Sequence, residues 1–254
     1  MSKRLLFAHR GARVERPENT LIAFQHALDL GANALEMDVH HTRDGVIVVH
    51  HDPTLERSAG LPVAIRDVEW SALSQVDVGY TFKDAAGDRP FAGARIPRLD
   101  EVLAELPGVP LNIDIKPDSS RLCAAVVKLL RVKRATESVR LASFYGKNLQ
   151  RVRRAGYEGE TSFGPRGVAM LLAHGGFGLR WLGEQANAAQ VPTHYGRVRL
   201  DTARFVRAVH GVGAALHYWT INDPAEAARL LRLGADGLVT DDVRALAPVF
   251  RESE

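Results

Sequence analysis

The sequence predicts an α/β fold, a (β/α)8 TIM barrel with a small insertion after its second strand region. Short apolar or β-branched runs alternate with amphipathic helical patterns along the chain. The 254 residues form about eight strand-plus-helix units of roughly 32 residues each, as a closed barrel requires. An open doubly wound sheet is the alternative, but no G-x-G-x-x-G sequence follows the first strand. We expect one domain over residues 1–254.

The predicted strands are short runs of apolar and β-branched residues, bounded by glycine, proline or polar turn signals. The run VIVVH follows such a signal directly, at Asp44-Gly45. In order, the expected strands are RLLFAH (4–9), ALEMDV (34–39), VIVVH (46–50), VPLNIDIK (109–116), VRLASF (139–144), GETSFG (159–164), RWLGEQA (180–186), GAALHYWT (213–220) and DGLVT (236–240).

The predicted helices place apolar residues three and four positions apart. In the first of them, Leu21, Phe24 and Leu28 fall on one face, and Gly31 is a typical stop signal. The remaining helical patterns each follow a predicted strand. They are 121–134, KNLQRVRRAG (147–156), GVAMLLAHGG (167–176), DTARFVRAVHG (201–211), PAEAARLLRLG (224–234) and VRALAPVF (243–250).

One segment, residues 53–97, interrupts this alternation. It has little barrel periodicity and contains four glycines. One interpretation is a surface loop with a short helix near Val68–Val76. The other is an insertion over the barrel mouth that shapes substrate access. We favour the insertion, because the residues that flank the segment belong to the candidate site described below.

The composition is that of an ordinary globular protein, with 46% hydrophobic and 25% charged residues. The single cysteine, Cys123, excludes an intrachain disulfide and lies in an apolar helical pattern, which favours packing over a nucleophilic role. Near the start only Leu5 to Ala8 are apolar, too few for a signal peptide, and no later run reaches the roughly 18 residues of a membrane span. The sequence therefore predicts a cytoplasmic protein without stable membrane association.

Basic residues cluster in LLRVKRATESVR and LQRVRRAG, and the formal net charge is +3. Such clusters can bind nucleic acid, but no aromatic residues alternate with the cations and no DNA-binding motif is present. Solvated cations near helix C-termini explain both clusters, since positive charge is favourable there. We expect no nucleic acid partner, and the sequence leaves the oligomeric state open.

The polar residues with the strongest chemical signal lie at predicted strand ends. Glu36 and Asp38 are two residues apart and therefore point to the same side of their strand, and Asp114 and Lys116 repeat that spacing. His9 ends the first strand. Because functional groups of a TIM barrel collect at the C-terminal ends of its strands, we expect these five side chains at one mouth.

Three carboxylates at one mouth would repel one another unless a cation neutralises them. An all-oxygen ligand set favours a hard divalent metal, Mg²⁺ or Ca²⁺, over zinc. The sequence thus predicts a metal site formed by Glu36, Asp38 and Asp114. The alternative is a purely structural set of salt bridges to Arg10 and Lys116, although inward strand positions are costly places for charges that serve only structure.

His51 follows the VIVVH run, beside Asp52 and a proline. Hydrolysis of a phosphodiester needs a base for the attacking oxygen and an acid for the departing one, and two imidazoles can fill these roles near neutral pH. The imidazoles of His9 and His51 are candidates for these roles, so the pattern suits phosphoryl transfer, although residue chemistry alone does not name the substrate. Arg10 and Lys116 are interpreted as cations that hold the non-bridging phosphate oxygens.

The other histidines of this region receive no catalytic role. His50 points opposite to His51 and is expected in packing or at the surface. His40 continues the inward face of Glu36 but is expected at an exposed loop position, and His41 is expected at the surface.

Several motifs occur in a fixed order along the chain. They are HRG (9–11), PENT (17–20), E-x-D (36–38), RDG (43–45), HDPTLER (51–57), IPRLDEVL (96–103), NIDIK (112–116), SF (143–144), YWTIN (218–222) and GADGLVTDD (234–242). In this order and spacing they resemble the glycerophosphodiester phosphodiesterase family over nearly the whole chain.

The resemblance implies a barrel with a small insertion after the histidine of the second strand region. It also implies metal-dependent hydrolysis of a small-molecule glycerophosphodiester to sn-glycerol 3-phosphate and an alcohol. By position, the resemblance implies that His9 and His51 are catalytic and that Arg10 and Lys116 bind the phosphate. It implies that the metal ligands are Glu36, Asp38 and Asp114. It also implies that Trp219 lies at the rim of the glycerol pocket. A tryptophan packed in the core is the alternative for Trp219.

Two positions depart from the family pattern. Asp114 stands where the family usually has a glutamate, so the metal is expected to shift, to bind through water or to bind more weakly. The stretch SAGLPVAI, after HDPTLER, replaces a turn rich in threonine, asparagine and glycine. The resemblance therefore does not carry over the pocket wall, and it leaves the alcohol preference open.

Two other functions remain open at this level. One is a lysophospholipase D or phospholipase-like phosphodiesterase acting on lipids, which an apolar insertion would favour, but FKDAAGDRPFAG carries charges and only isolated aromatics. The other is a non-catalytic phosphate-binding barrel. The loss of a catalytic histidine would favour it, but both histidines are present.

Overall fold

The computed structural model describes residues 4–175 and 186–251 and shows the predicted (β/α)8 barrel. In chain order its strands are β1 (Leu5–His9), β2 (Ala34–His41), β3 (Ile47–Val49), β4 (Thr54–Leu55), β5 (Leu61–Ala64), β6 (Leu111–Ile115), β7 (Val139–Ala142), β8 (Glu160–Thr161), β9 (Ala188–Val191), β10 (His194–Tyr195), β11 (Val198–Arg199), β12 (Ala215–Tyr218) and β13 (Gly237–Thr240). Its helices are α1 (Leu21–Asp29), α2 (Glu56–Ala59), α3 (Trp70–Leu73), α4 (Leu99–Glu105), α5 (Ser120–Val132), α6 (Gly146–Arg154), α7 (Pro165–His174), α8 (Ala203–Gly211), α9 (Pro224–Leu233) and α10 (Val243–Arg251).

Eight parallel strands form the barrel wall in the order β8, β7, β6, β2, β1, β13, β12, β9. A parallel bridge between Ser162 and Ala188 connects the two end strands, β8 and β9, so the sheet closes on itself. The first and last strands of the chain, β1 and β13, are neighbours in register, with Ala8 opposite Thr240. Closure therefore brings residues from both ends of the sequence together at the mouth.

Alternation along the strands separates the apolar core from the barrel interior. In β2, Leu35, Met37 and Val39 are buried in the main core together with the apolar faces of the helices, as the sequence predicts. Glu36 and Asp38, which alternate with them, point into the barrel and are also buried. Because both side chains are buried, their carboxylates interact with neighbouring side chains at the mouth and not with bulk solvent.

The run at 46–50 is not a barrel strand. Its residues Ile47–Val49 form β3, which pairs antiparallel with the end of β2, with Val49 opposite Val39. Only a short turn around Gly45 separates the two strands, and so short a connection can join antiparallel strands but not parallel ones. β2 and β3 therefore form a hairpin that leads the chain into the insertion.

A second difference concerns the strand predicted at 180–186. That segment lies outside the described residues except for Ala186. The structure places the barrel strand β9 at Ala188–Val191, beyond the predicted strand, and pairs it in parallel with β12. Two alanines, a glutamine and a valine carry little intrinsic strand preference, so the neighbouring strand decides the conformation here.

Residues 53–97 fold into a small unit against the barrel. β4 and β5 pair antiparallel, and α3 lies within the helix expected near Val68–Val76. The unit contacts the loop between β1 and α1 through the Arg57–Glu18 ion pair, and a cleft of about 280 Å³ lies between them. Because that loop follows the C-terminal end of β1, the unit stands beside the barrel mouth. Its apolar residues form one cluster with Val48 of β3, and they are Leu55, Ala59, Ile65, Leu73, Val78 and Ile96.

The longest of the helices given above is α5, with 13 residues. Cys123 is buried on it, in the packing position that its apolar surroundings predict. Across residues 4–175 and 186–251, no helix has the length and apolar character needed to cross a lipid bilayer.

Candidate active site

Side chains from three neighbouring strands meet at the C-terminal mouth of the barrel. In register, His9 of β1 lies opposite Glu36 of β2, and Asp38 of β2 lies opposite Asp114 of β6. Lys116 follows the end of β6 and contacts both aspartates. The structure therefore brings together the five residues that the two-residue strand repeat places on one side.

Lys116 forms the centre of the acidic cluster. Its Nζ lies 2.9 Å from Asp38 Oδ1 and 2.7 Å from Asp114 Oδ2. Burial would raise the pKa of Asp38, but the charges of Lys116 and Arg10 outweigh it and hold that pKa below its usual value. Burial raises the pKa of Asp114 in spite of the opposing Lys116 charge. Two of the three carboxylates thus have a cationic partner within the protein.

Glu36 lies beside the two aspartates and is held by a backbone hydrogen bond. Its Oε2 accepts the N–H of Arg10 at 3.2 Å and lies 3.9 Å from His9 Nε2. Burial, followed by the charges of Asp38 and Asp114, raises the pKa of Glu36 well above its usual value. Further positive charge at this point would lower that pKa and stabilise the carboxylate.

The oxygen atoms of the cluster suit a hard divalent cation in type. Among buried side-chain atoms of the described residues, Asp114 Oδ1 and Asn112 Oδ1 accept no hydrogen bond, and Asp38 Oδ1 faces Lys116 without an aligned one. Buried oxygens without a partner are costly, and a cation relieves that cost. Within residues 4–175 and 186–251, however, no three acid, histidine or cysteine side chains form a ready-made metal-binding group. The carboxylate and amide oxygens are ligands of the type that Mg²⁺ or Ca²⁺ prefers. In this structure Asp38 and Asp114 point at the Lys116 ammonium.

His9 is oriented by an aspartate from the other end of the chain. Its Nδ1 lies 2.6 Å from Asp241 Oδ1. Asp241 follows β13, which is the barrel neighbour of β1. This contact occupies Nδ1 and leaves Nε2 on the side of Glu36, so it determines which ring nitrogen faces the mouth.

His51 is oriented in the same way by the residue that follows it. Its Nδ1 lies 2.6 Å from Asp52 Oδ1. Burial lowers the pKa of His51, and the charge of Asp38 opposes that effect. The backbone N–H of His50 donates to the carbonyl of Asp38 at 2.9 Å and holds this turn against the end of β2. His51 therefore belongs to the same mouth as the acidic cluster.

The neighbouring histidines support this turn. His50 is buried, with its Nε2 2.9 Å from Ser58 Oγ, as the packing interpretation predicts. The expectation of an exposed His40 is wrong, because β2 continues to His41 and its pleat directs His40 inward. His40 is buried, its Nε2 lies 3.0 Å from the carbonyl oxygen of His51, and burial lowers its pKa to about 4. It thus holds the backbone that carries the second histidine.

Arg10 contacts carboxylates on two sides. Its Nη1 lies 3.1 Å from Glu18 Oε1, and its Nε lies 3.2 Å from Asp38 Oδ2. The next residue, Gly11, has φ +83°, and a Cβ there would lie 2.7 Å from the backbone of Ala23. Only glycine fits at this position, so the HRG sequence sets where the guanidinium stands at the mouth.

Trp219 has one side in the barrel interior and one side at the mouth. It is half-buried and packs against the interior cluster that contains Phe7 and Val239. Its ring meets that of Phe144 edge-on, with centroids 5.8 Å apart. Phe144 is exposed, and the Lys116 ammonium lies 5.6 Å from its ring centre. Trp219 therefore borders the interior cluster directly, and Phe144 lies between it and Lys116.

Four residues of this site received no role from the sequence. Asp241 and Asp52 orient the two histidines, Glu18 binds an arginine of the mouth, and Asn19 Nδ2 donates to Asp38 Oδ2 at 2.9 Å. The signal was present in the PENT, HDPTLER and GADGLVTDD motifs, which together contain all four. What the motifs do not show is which side chain each of these residues contacts.

Residues 9–245 match the model of the glycerophosphoryl diester phosphodiesterase family. A protein named probable glycerophosphodiester phosphodiesterase 2, from Mycobacterium tuberculosis, is 32% identical over 257 residues, which cover 97% of this chain and 90% of the relative. The crystal structure of a glycerophosphodiester phosphodiesterase from Agrobacterium tumefaciens has a TM-score of 0.80 at 25% identity, and the match covers 98% of this chain and 100% of that one. A phosphodiesterase from Oleispira antarctica, solved in complex with its product sn-glycerol-3-phosphate, has a TM-score of 0.81 at 22% identity and covers 97% and 96%.

Proposed function

The chain belongs to the glycerophosphoryl diester phosphodiesterase family and is an enzyme that hydrolyses glycerophosphodiesters; we propose that it does so by proton transfer through two histidines, with a divalent cation at the strand ends. The products would be sn-glycerol 3-phosphate and an alcohol, with Trp219 against the carbon atoms of the glycerol. The paired histidines support the proposal most directly, since each Nδ1 lies 2.6 Å from a carboxylate at the mouth that holds the acidic cluster.

The proposed reaction is an in-line displacement at the phosphorus of the diester. One histidine accepts a proton from the attacking oxygen, and the other donates a proton to the departing alcohol oxygen as its bond to phosphorus breaks. Asp241 and Asp52, which bind Nδ1 of His9 and His51, leave Nε2 free for these transfers and stabilise each ring while it is protonated. The attacking oxygen belongs either to water or to the glycerol 2-hydroxyl, in which case a cyclic phosphate is hydrolysed afterwards.

Positive charge at the mouth would hold the phosphate. Arg10 and Lys116 direct their cationic groups into the acidic cluster, within reach of non-bridging oxygens. Glu36, Asp38 and Asp114 would hold a Mg²⁺ or Ca²⁺ ion, which when bound supplies further neutralisation of the phosphate charge. The unpartnered oxygen of Asp114 and the raised pKa of Glu36 support this assignment.

The test is the release of glycerol 3-phosphate from glycerophosphocholine and glycerophosphoethanolamine. We expect EDTA to lower kcat/KM by about 100-fold or more, with recovery when Mg²⁺ or Ca²⁺ is added back, because the three carboxylates then regain their cation. Titration calorimetry of the metal-free protein measures ion binding independently of turnover.

Two outcomes would contradict this proposal. Full activity after EDTA treatment and dialysis, together with no measurable binding of either ion, would exclude the metal site. Faster choline release from lysophosphatidylcholine than from glycerophosphocholine would favour the lipid-directed alternative.

Asp114→Glu should bind the divalent ion about tenfold more tightly than the wild-type protein. The longer side chain restores the carboxylate length that the family usually has, at a position where one oxygen accepts no hydrogen bond. Titration calorimetry with Mg²⁺ measures the change. The control is Asp118→Glu, on the same segment but in an ion pair with Arg151, which should leave the affinity unchanged. Weaker binding by Asp114→Glu would show that the shorter side chain is the better ligand here.

A further inference from the structure

Two arginines connect the histidine–aspartate pairs to one glutamate. Arg13 Nη1 lies 3.3 Å from Asp241 Oδ1, and its Nη2 lies 2.9 Å from Glu18 Oε2. Arg57 Nε lies 2.6 Å from Asp52 Oδ2, and its Nη2 lies 2.6 Å from Glu18 Oε1. An unbroken chain of ion pairs therefore runs from the carboxylate of one histidine to the carboxylate of the other, through Glu18.

We propose that Glu18 is a positioning residue for both histidines. It fixes the orientation of the two imidazole rings relative to the bound substrate. This role rests on the proposed two-histidine reaction. Glu18 acts through Arg13 and Arg57 on the aspartates that bind each Nδ1. Loss of its charge would release both arginines at once, and both rings would then lose their orientation.

Burial and charge suit Glu18 to this role. Its side chain is only 14% exposed, and a third arginine, Arg10, lies 3.1 Å from its Oε1. Burial would raise the pKa of Glu18, but Arg57, Arg10 and Arg13 lower it to about 2, so the carboxylate is ionised near neutral pH. Partly buried ion pairs are less screened than exposed ones, and a buried charge that loses its partner is costly.

The backbone of the PENT segment keeps Glu18 in place. Thr20 caps α1, and its hydroxyl donates to the carbonyl of Pro17 at 2.6 Å. Asn19 Nδ2 donates to Asp38 Oδ2 at 2.9 Å. Glu18 therefore lies between residues that are bonded to the helix start and to the acidic cluster, and such support is what a positioning group needs.

The same carboxylate joins the insertion to the barrel. Arg57 belongs to α2 of the insertion, whereas Arg10 and Arg13 belong to the loop after β1. His51 lies where the chain enters the insertion, and His9 lies on the barrel wall. Their relative placement therefore depends on the junction that Glu18 makes.

Glu18→Gln tests this role, with Glu15→Gln as the matched control. Glu15 lies in the same loop and is bound by Arg244 at 2.8 Å and by His26 at 2.8 Å, partners outside the chain of ion pairs that joins the histidines. We expect Glu18→Gln to lower kcat about 10- to 100-fold, with a change in KM below about threefold. Glu15→Gln should leave both constants near those of the wild-type protein.

Nitrogen-15 NMR of the imidazoles gives a measurement that does not depend on turnover. In the wild-type protein we expect His9 and His51 to carry a proton on Nδ1. In Glu18→Gln both rings should show mixed tautomers, because Arg13 and Arg57 lose the carboxylate that fixes them against Asp241 and Asp52. Arg13→Gln should disturb only His9, and Arg57→Gln only His51, which tests the same linkage if Glu18→Gln does not fold.

A Glu18→Gln enzyme whose kcat stays within about twofold of the wild-type value would overturn this role. Unchanged tautomers in Glu18→Gln, or in both arginine variants, would also overturn it, as would an equal loss of kcat in Glu15→Gln. If the wild-type protein releases no glycerol 3-phosphate, the proposed function fails. The NMR result then still decides whether Glu18 orients the rings.

Discussion

His51→Ala should lower kcat on glycerophosphocholine by about 10³-fold, because one of the two proton transfers loses its group. The ring is half-buried at the mouth, and its Nδ1 contacts Asp52. Truncation therefore removes a polar contact and leaves the apolar core intact. We expect the circular dichroism spectrum and the thermal midpoint to stay close to those of the wild-type protein while turnover is lost.

His41→Ala is the matched control for this prediction. His41 ends β2 only a short distance along the chain from His51, and its Nδ1 lies 2.9 Å from the carbonyl oxygen of Thr42. It should retain near-normal turnover, since no step of the proposed reaction uses its ring. A His51→Ala enzyme with the same rate as His41→Ala would remove His51 from the mechanism.

Lys116→Met should lower the free energy of unfolding by about 3 kcal/mol or more near neutral pH. Methionine has a similar length but no charge, so Asp38 and Asp114 would remain buried without the ammonium that lies 2.9 and 2.7 Å from them. Turnover should also fall, because a cation for the phosphate is lost. Urea unfolding, followed by circular dichroism, measures the change in stability.

The stability loss in Lys116→Met should increase with pH. Lys116 lowers the pKa of both Asp38 and Asp114, so its removal raises both pKa values. An acid whose pKa is higher in the folded than in the unfolded state binds more protons when folded, and its contribution to stability falls as the pH rises. The difference from wild type should therefore be larger at about pH 8 than at about pH 5.

Two comparisons make the Lys116 prediction specific. Lys128→Met changes an exposed lysine on α5 and should leave the stability nearly unchanged. Added Mg²⁺ or Ca²⁺ should restore part of the stability of Lys116→Met, by about 2.7 kcal/mol at 100 times Kd, if the carboxylates bind the ion. Equal stability of Lys116→Met and Lys128→Met would show that the two aspartates do not need the ammonium.

The sequence by itself determined the barrel and the set of strand ends that form its mouth. A period of two along ALEMDV and NIDIK separates Glu36, Asp38 and Asp114 from the apolar side chains, because successive residues of a strand point to opposite faces. Eight alternating units predict the closed barrel, and closure places those strand ends together. The motif order indicates the family. Local pattern was enough for these conclusions, because each depends on a few residues that are adjacent in the chain.

Local pattern was not enough where the fold depends on a partner strand. Residues 46–50 have the composition of a barrel strand, but Ile47–Val49 within them form β3 of a hairpin. Ala188–Val191 lack that composition but form β9. In the first case the short turn forces antiparallel pairing. In the second, pairing with β12 overrides a weak propensity.

Only the tertiary structure decided which side chains of the site contact one another. His9 and Asp241 are 232 positions apart in sequence, yet their side chains meet at 2.6 Å, because the closing sheet makes β1 and β13 neighbours. The Glu18–Arg57 contact depends on how the insertion folds back on the loop after β1, and the place of Lys116 among the acids depends on the pairing of β2 with β6. Side chains far apart in the chain orient the catalytic groups, and only folding in three dimensions brings them within hydrogen-bonding distance.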